Sequence, residues 1–203
     1  SDSLSTHLVR IFYWLQHNSL ESWDATVVAQ ISYPINISIQ GLWVFLLTGA
    51  EMNFFLIPFF ALVIAIILIY KISIILGANP VGGLISSLLS LSFPVVLLQT
   101  YSYQGDVFIA TLALCALYFL LLFIRNNSQI SIYISIIIIS ISVGAKQTIL
   151  LFVPVFSLVI LVLVFQKKIS PRVLLKIIGL FMIFFLIFSS FKFIQNSRET
   201  HVA

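Results

Sequence analysis

Long apolar runs constrain this chain more than any other feature. Residues 53–76, 107–124 and 173–194 each approach or exceed the roughly 20 residues that a helix needs to cross the hydrocarbon of a bilayer. Only 8% of the residues are charged, whereas about a quarter are charged in a soluble domain, so a water-facing surface cannot be built. The sequence therefore predicts an all-α integral membrane protein, folded as a polytopic helical bundle.

We expect about six transmembrane helices in a core of residues 53–203, over 53–76, 82–99, 107–124, 130–143, 147–165 and 173–194. A single helix over 130–165 would be about 54 Å long, against a hydrocarbon core of about 30 Å, so a turn is expected at 144–147. The chain opens with Ser1 and has no signal-peptide pattern, which favours a piece of a longer protein.

Residues 1–52 form the first external loop and hold four of the six acids and all three tryptophans, so we expect structure within the loop. Apolar residues recur at helical spacing over 3–16, which predicts an amphipathic helix lying on the membrane surface. A second helix is expected over 34–47, before Gly49. Four aromatic residues are expected to form a belt at the membrane interface: Trp14, Trp23, Tyr33 and Trp43.

The charges indicate an orientation. With six spans, one side of the membrane carries most cations, and this side should be cytoplasmic: Lys71, Arg125, Lys167, Lys168, Arg172 and Lys176. All the acids fall on the external side: Asp2, Glu21, Asp24, Glu51, Asp106 and Glu199. No span has a charge near its midpoint, so we expect chemistry at the external surface. The scattered cations form no basic stripe, which argues against nucleic-acid binding.

Five polar side chains are candidates for that chemistry. Asp2 opens the surface helix, and His7 and Arg10 follow on one face because they are three residues apart. Asp106 opens a span and Lys146 lies at an external turn. Plainer interpretations stay open: Asp2 and Asp106 can be helix N-caps, and Arg10 and Lys146 can extend from the interface toward lipid headgroups.

The order of these features resembles the GT-C membrane glycosyltransferases, the superfamily of protein mannosyltransferases and aminoarabinose transferases. The resemblance covers nearly the whole chain and rests on an ordered set of motifs. The first-loop motif is Asp2-Ser3-Leu4 with His7-Leu8, Arg10 and Trp14-Leu15-Gln16. The later motifs are Tyr33-Pro34 entering a helix, Gln99 through Gly105-Asp106 opening a span, and Val143-Gly144-Ala145-Lys146-Gln147-Thr148 before an apolar run and Pro154.

The resemblance implies an inverting transfer of a sugar from a polyprenyl phosphate carrier to an acceptor, at the external or lumenal membrane face. It implies that Asp2 is the catalytic carboxylate, that Arg10, Lys146 and His7 bind the donor phosphate, and that Asp106 orders the acceptor or a metal ion. Relatives often have asparagine where Gly105 stands here, which weakens the assignment of Asp106.

The expected partners are the polyprenyl-phosphate-linked sugar donor, an acceptor that is a protein, a lipid or a glycan, and the lipid bilayer. No cofactor is certain, and a divalent metal ion stays open. The expected location is a bacterial inner membrane with the site facing outside. The resemblance also implies further spans before and after this chain, so we expect the segment alone to be inactive.

Two other functions remain open. A transporter or lipid flippase would use Asp2, Asp106 and Lys146 in a gated path and would have charges or broken helices at mid-membrane depth. The candidate helix breakers are Pro94 and the Gly82-Gly83 pair. A purely structural membrane subunit would not depend on any external acid.

Overall fold

The fold was analysed in a computed structural model that describes residues 6–199, except 22, 24, 26 and 104. The described part of the chain is helical and contains no β-strand. Its helices are α1 (Leu8–His17), α2 (Ala29–Ser32), α3 (Asn36–Thr48), α4 (Leu56–Ile75), α5 (Pro80–Leu91), α6 (Pro94–Thr100), α7 (Asp106–Asn126), α8 (Gln129–Val143), α9 (Phe152–Phe165), α10 (Pro171–Phe188) and α11 (Ser190–Glu199). Short 3₁₀ turns, Glu51–Phe55 and Gln147–Leu151, lead into α4 and α9.

Four helical segments are long and apolar enough to cross a bilayer, so the described part of the chain has the predicted all-helical fold with candidate membrane-spanning helices. They are Glu51–Ile75, Asp106–Asn126, Gln147–Phe165 and Pro171–Phe188. The predicted span 130–143 forms α8, whose 15 residues extend about 22 Å, less than a typical hydrocarbon core. These lengths give four candidate spans among the described residues, and the count of six stays a prediction.

The predicted span 82–99 is divided into two helices, α5 and α6, which meet at an angle of 68°. Asn79 caps the start of α5, where its side chain accepts a hydrogen bond from the Gly82 amide at 2.7 Å. The break falls at Phe93, whose backbone is extended, and Pro94 is the first residue of α6. A residue before proline is disfavoured in helical geometry, which explains the break. If the pair counts as one bent span, the number of candidate spans rises to five.

Hydrogen bonds from buried hydroxyl groups connect neighbouring helices of the bundle. Each hydroxyl donates to a main-chain carbonyl of the neighbouring helix at 2.7–3.1 Å: Thr111 to Ala61, Ser87 to Ile66, Ser135 to Ala116, and Ser189 to Ser140. Such contacts are a common means of association between apolar helices, because small polar residues allow close approach. Ala61 contacts Thr111 and, further along both helices, Lys71 lies over the Tyr118 ring, so α4 and α7 are parallel. The short connections from α4 to α5 and from α7 to α8 return the chain in the opposite direction.

The bundle therefore has two distinct ends. We call one the loop end, because α1 and α3 of the first loop pack there against the starts of α4 and α7. An apolar cluster joins these elements: Ile11, Ile37, Phe54, Tyr103, Ile109, Val143 and Ile149. We call the other the basic end, because it carries a group of cations: Lys71, Arg125, Lys167, Lys168 and Arg172. The first loop thus folds as a helical cover over one end of the bundle.

The two helices predicted in the first loop are present. The first is α1, which buries Ile11 and Trp14, and its place on the membrane surface stays a prediction. The second is α3, which ends at Gly49 in a left-handed conformation. The aromatic belt is wrong for Trp14, because its side chain is only 4% exposed and lies beneath the Arg10 guanidinium, 5.9 Å from it. Trp43 is exposed, as the belt requires.

Gly144 explains how α3 reaches the bundle core. A Cβ atom at this position would collide with the Phe188 carbonyl and with Asn36. The Asn36 side chain instead donates to the Phe188 carbonyl at 2.9 Å, and its backbone amide donates to the Gly144 carbonyl at 3.3 Å. The start of α3 is thereby fixed to the ends of α8 and α10.

Candidate functional site

An ion pair between Lys146 and Asp106 lies at the loop end. The Lys146 ammonium donates to one Asp106 carboxylate oxygen, and the Gln99 side-chain amide donates to the other at 3.4 Å. The N-cap of α7 is Gly105, and Asp106 is the first helical residue, where a carboxylate is favoured by the helix dipole. The capping interpretation of Asp106 is therefore replaced by a contact between residues 40 positions apart.

His7 is buried near this pair. Its Nδ1 atom is 3.1 Å from the Ser38 hydroxyl of α3, and its ring meets the Tyr103 ring edge-on at 6.0 Å between centroids. The Tyr103 hydroxyl donates to the Ile37 carbonyl, and burial raises the pKa of Tyr103 well above its usual value. The buried Tyr103 hydroxyl therefore stays a hydrogen-bond donor, and the Tyr103 ring packs against the imidazole.

His7 and Lys146 line one small cavity of about 110 Å³. The wall is completed by the chain entering α3 and by the chain entering α9: Tyr33, Pro34, Ala145, Gln147 and Thr148. A water molecule occupies about 30 Å³ of liquid, so the cavity has room for a group of a few heavy atoms, such as a phosphate. Two residues far apart in the sequence, both predicted to bind a phosphate, thus meet at one cavity.

The chemistry of this cavity suits an anion. Lys146 supplies a positive charge, His7 a ring nitrogen, Thr148 a hydroxyl, and the start of the helical segment Gln147–Phe165 the positive end of a helix dipole. Lys146 is already paired with Asp106, but the pair is partly exposed, at 20% and 34% of the two side chains. Partly exposed ion pairs are weak, so an arriving anion can compete for the ammonium.

Arg10 lies apart from the cavity in a different role. Its side chain is 2% exposed, and all three guanidinium nitrogens donate to main-chain carbonyls of α2 and of the loop between α2 and α3: Gln30 at 2.7 and 2.9 Å, Tyr33 at 3.1 Å and Pro34 at 3.1 Å. Burial lowers the pKa of Arg10 to about 10, which leaves it charged at neutral pH. These contacts make Arg10 a clamp on the loop, and phosphate binding by Arg10 stays a prediction.

The structure groups three of the five predicted site residues, His7, Asp106 and Lys146, and directs Arg10 into the protein. Asp2, the predicted catalytic carboxylate, lies outside the described residues. Two other described acids of this end, Glu21 and Glu51, are exposed. The described part of the site therefore consists of the His7 ring, the Lys146 ammonium and one carboxylate, that of Asp106.

A metal centre is not supplied by the described residues. Among them no group of three histidine, cysteine, aspartate or glutamate side chains lies close enough to share an ion. The Asp106 carboxylate already accepts hydrogen bonds from the Lys146 ammonium and the Gln99 amide.

The sequence alone did not identify Ser38 or Tyr103 as partners of His7. Both contacts join segments more than 30 residues apart, and no spacing pattern reports such contacts. One signal existed: Ser38 and Gly41 are small residues on the same face of α3, which permits close packing. A Cβ atom at Gly41 would collide with the Tyr103 side chain and with Ile11.

Comparison with known proteins gave no match: no protein-family profile, curated protein or solved structure is similar enough to this chain to suggest a relationship.

Proposed function

We propose that this protein is a membrane glycosyltransferase that transfers a sugar, with inversion, from a polyprenyl-phosphate-linked donor to an acceptor. The observation that carries the proposal is the cavity at the loop end, where His7 and Lys146 meet beside Asp106. A phosphate attached to a lipid lies at headgroup depth, which is where the end of an apolar bundle lies. The resemblance of the ordered motifs to GT-C transferases supports the same assignment.

The proposed roles follow from the charge that develops during the reaction. As the sugar leaves its carrier, negative charge grows on the departing phosphate, and the Lys146 ammonium and the His7 ring stabilise it in a partly dry cavity. A phosphate is a weak base, so its departure needs no general acid. Asp2 deprotonates or orients the acceptor. Asp106 holds Lys146 in place and orders the acceptor.

We infer a six-span arrangement for this reaction. The bent pair α5–α6 and the short helix α8 each return the chain from the basic end to the loop end, so that the spans alternate in direction. Because cytoplasmic loops are enriched in lysine and arginine, the basic end is cytoplasmic and the loop end external. A bacterial inner membrane with an outward-facing site is the proposed location.

The test is a transfer assay on the intact protein in membranes, supplied with a labelled polyprenyl phosphate sugar. Asp2→Asn should abolish transfer, and Lys146→Ala should lower kcat/KM for the donor at least tenfold. Glu51→Gln is the matched control, because Glu51 is an exposed acid at the same end. Undiminished transfer by both Asp2→Asn and Lys146→Ala would refute the proposal.

One observation favours a second function, a lipid flippase or transporter. The 68° bend between α5 and α6 is a break of the kind found in transport proteins, where broken helices create binding sites within the membrane. The break carries serines, Ser90 and Ser92, but no charged residue. Movement of a fluorescent polyprenyl phosphate between the leaflets of protein-containing vesicles, without sugar transfer, would favour this alternative.

A further inference from the structure

The Ser38 hydroxyl lies between the two cationic candidates of the first loop. It is 3.1 Å from His7 Nδ1 and 3.5 Å from Arg10 Nη1, and the Ser38 side chain is completely buried. His7 and Arg10 both belong to the α1 region, whereas Ser38 belongs to α3. One hydroxyl therefore connects the clamp of the first loop to the imidazole of the cavity.

The hydrogen-bonding capacity of the three side chains determines which atom donates in each of these hydrogen bonds. A guanidinium only donates hydrogen bonds, so Ser38 accepts from Arg10. The hydroxyl has one hydrogen, and buried polar hydrogens are nearly always given an acceptor. Of the two described groups that contact the Ser38 hydroxyl, the Arg10 guanidinium cannot accept and His7 Nδ1 can. The hydroxyl therefore donates to Nδ1, and the neutral imidazole carries its own proton on Nε2.

Arg10 is rigid enough to set this direction. Its guanidinium is planar and is held by the carbonyls of Gln30, Tyr33 and Pro34. Tyr33 and Pro34 are also part of the cavity wall beside Lys146. The same side chain thus holds the wall of the cavity and orients the hydroxyl that contacts His7.

We propose that Arg10 and Ser38 are positioning residues that hold His7 in the tautomer with the proton on Nε2. This tautomer makes Nε2 a hydrogen-bond donor, which suits a phosphate oxygen, whereas a lone pair there would repel it. The benefit to catalysis rests on the proposed function, but the tautomer itself does not.

The test is nuclear magnetic resonance of the intact protein, labelled with ¹⁵N-histidine and held in lipid nanodiscs. His17→Gln and His201→Gln leave His7 as the single signal. At a pH where the imidazole is neutral, the wild-type ring should carry its proton on Nε2. Ser38→Ala should give a mixture of tautomers or move the proton to Nδ1. A wild-type ring protonated on Nδ1, or a Ser38→Ala ring unchanged from wild type, would overturn the proposal.

Ser135→Ala is the matched control. It removes an equally buried serine hydroxyl, donated to the Ala116 carbonyl in the bundle interior, and should leave the His7 tautomer unchanged. In the transfer assay, Ser38→Ala should lower kcat/KM for the donor about tenfold, the effect of losing one well-placed hydrogen bond. A tautomer change in a protein that transfers no sugar would refute the proposed function and leave the positioning role intact. Normal transfer by Ser38→Ala with an altered tautomer would refute the catalytic consequence.

Discussion

Arg10 shows what a sequence pattern can and cannot predict for a single residue. The spacing of His7 and Arg10 predicts that both belong to one helical region, and the structure places them at the N-cap and in the first turn of α1. It could not predict the partners of the guanidinium, because the carbonyls of Gln30, Tyr33 and Pro34 carry no side-chain signature. A cation near a membrane surface looks the same in the sequence whether it contacts a lipid phosphate or its own backbone.

The clamp role predicts a loss of stability in Arg10→Lys. The ammonium of lysine cannot replace a planar guanidinium that donates to several carbonyls at once. Each buried carbonyl left unpaired costs about 1–3 kcal/mol. We expect the variant to lower the free energy of unfolding in detergent by about 2–4 kcal/mol. Exposed Arg125 at the basic end provides the control, since Arg125→Lys should change stability little. An Arg10→Lys protein of normal stability with weakened donor binding would instead make Arg10 a phosphate ligand.

At the scale of helices, the apolar pattern located the elements but not all of their breaks. The turn at 144–147 was predicted because one helix over 130–165 would be too long, and the structure places the end of α8 and the start of the next segment there. The apolar pattern does not predict the break in 82–99, although Pro94 is a candidate helix breaker. Proline at a helix start and proline within a helix leave the same sequence signal, and packing decides between them.

Gly144→Ala tests the contact that attaches the first loop to the bundle. The added Cβ atom would collide with the Phe188 carbonyl, which is backbone and cannot move away freely. We expect a loss of about 1–3 kcal/mol in unfolding free energy, the usual cost of overpacking. Gly179→Ala is the control, because nothing lies within 4 Å of a Cβ atom there. Thermal unfolding in detergent measures both, and equal stability of the two variants would contradict the described packing.

At the scale of the whole molecule, the alternation of apolar runs predicts which residues share an end of the bundle. This is why the sequence alone assigns Asp106 and Lys146 to one surface. The cover formed by α1 and α3 could not be predicted in the same way. Its attachment depends on single close contacts, such as Asn36 with the Phe188 carbonyl, that leave no periodic pattern.

Cysteine labelling tests the proposed orientation. In a Cys115→Ser background, Tyr101→Cys marks the loop end and Lys168→Cys the basic end, and both positions are exposed. A membrane-impermeant maleimide applied to intact cells should label position 101 at once and position 168 only after the membrane is opened. Labelling of position 168 from outside would overturn the orientation.

The central claim is that the loop-end cavity binds the phosphate of a lipid carrier through Lys146, in competition with Asp106. The most direct measurement is the affinity of the intact protein for a polyprenyl phosphate without sugar, in nanodiscs. Lys146→Ala should weaken binding about tenfold or more, whereas Asp106→Asn should tighten it two- to fivefold, since it releases an ammonium from a weak, partly exposed pair. Lys168→Ala, at the other end, should have no effect. Equal affinities for the wild type and the three variants would contradict the account. Weaker binding by Asp106→Asn together with unchanged binding by Lys146→Ala would contradict it as well.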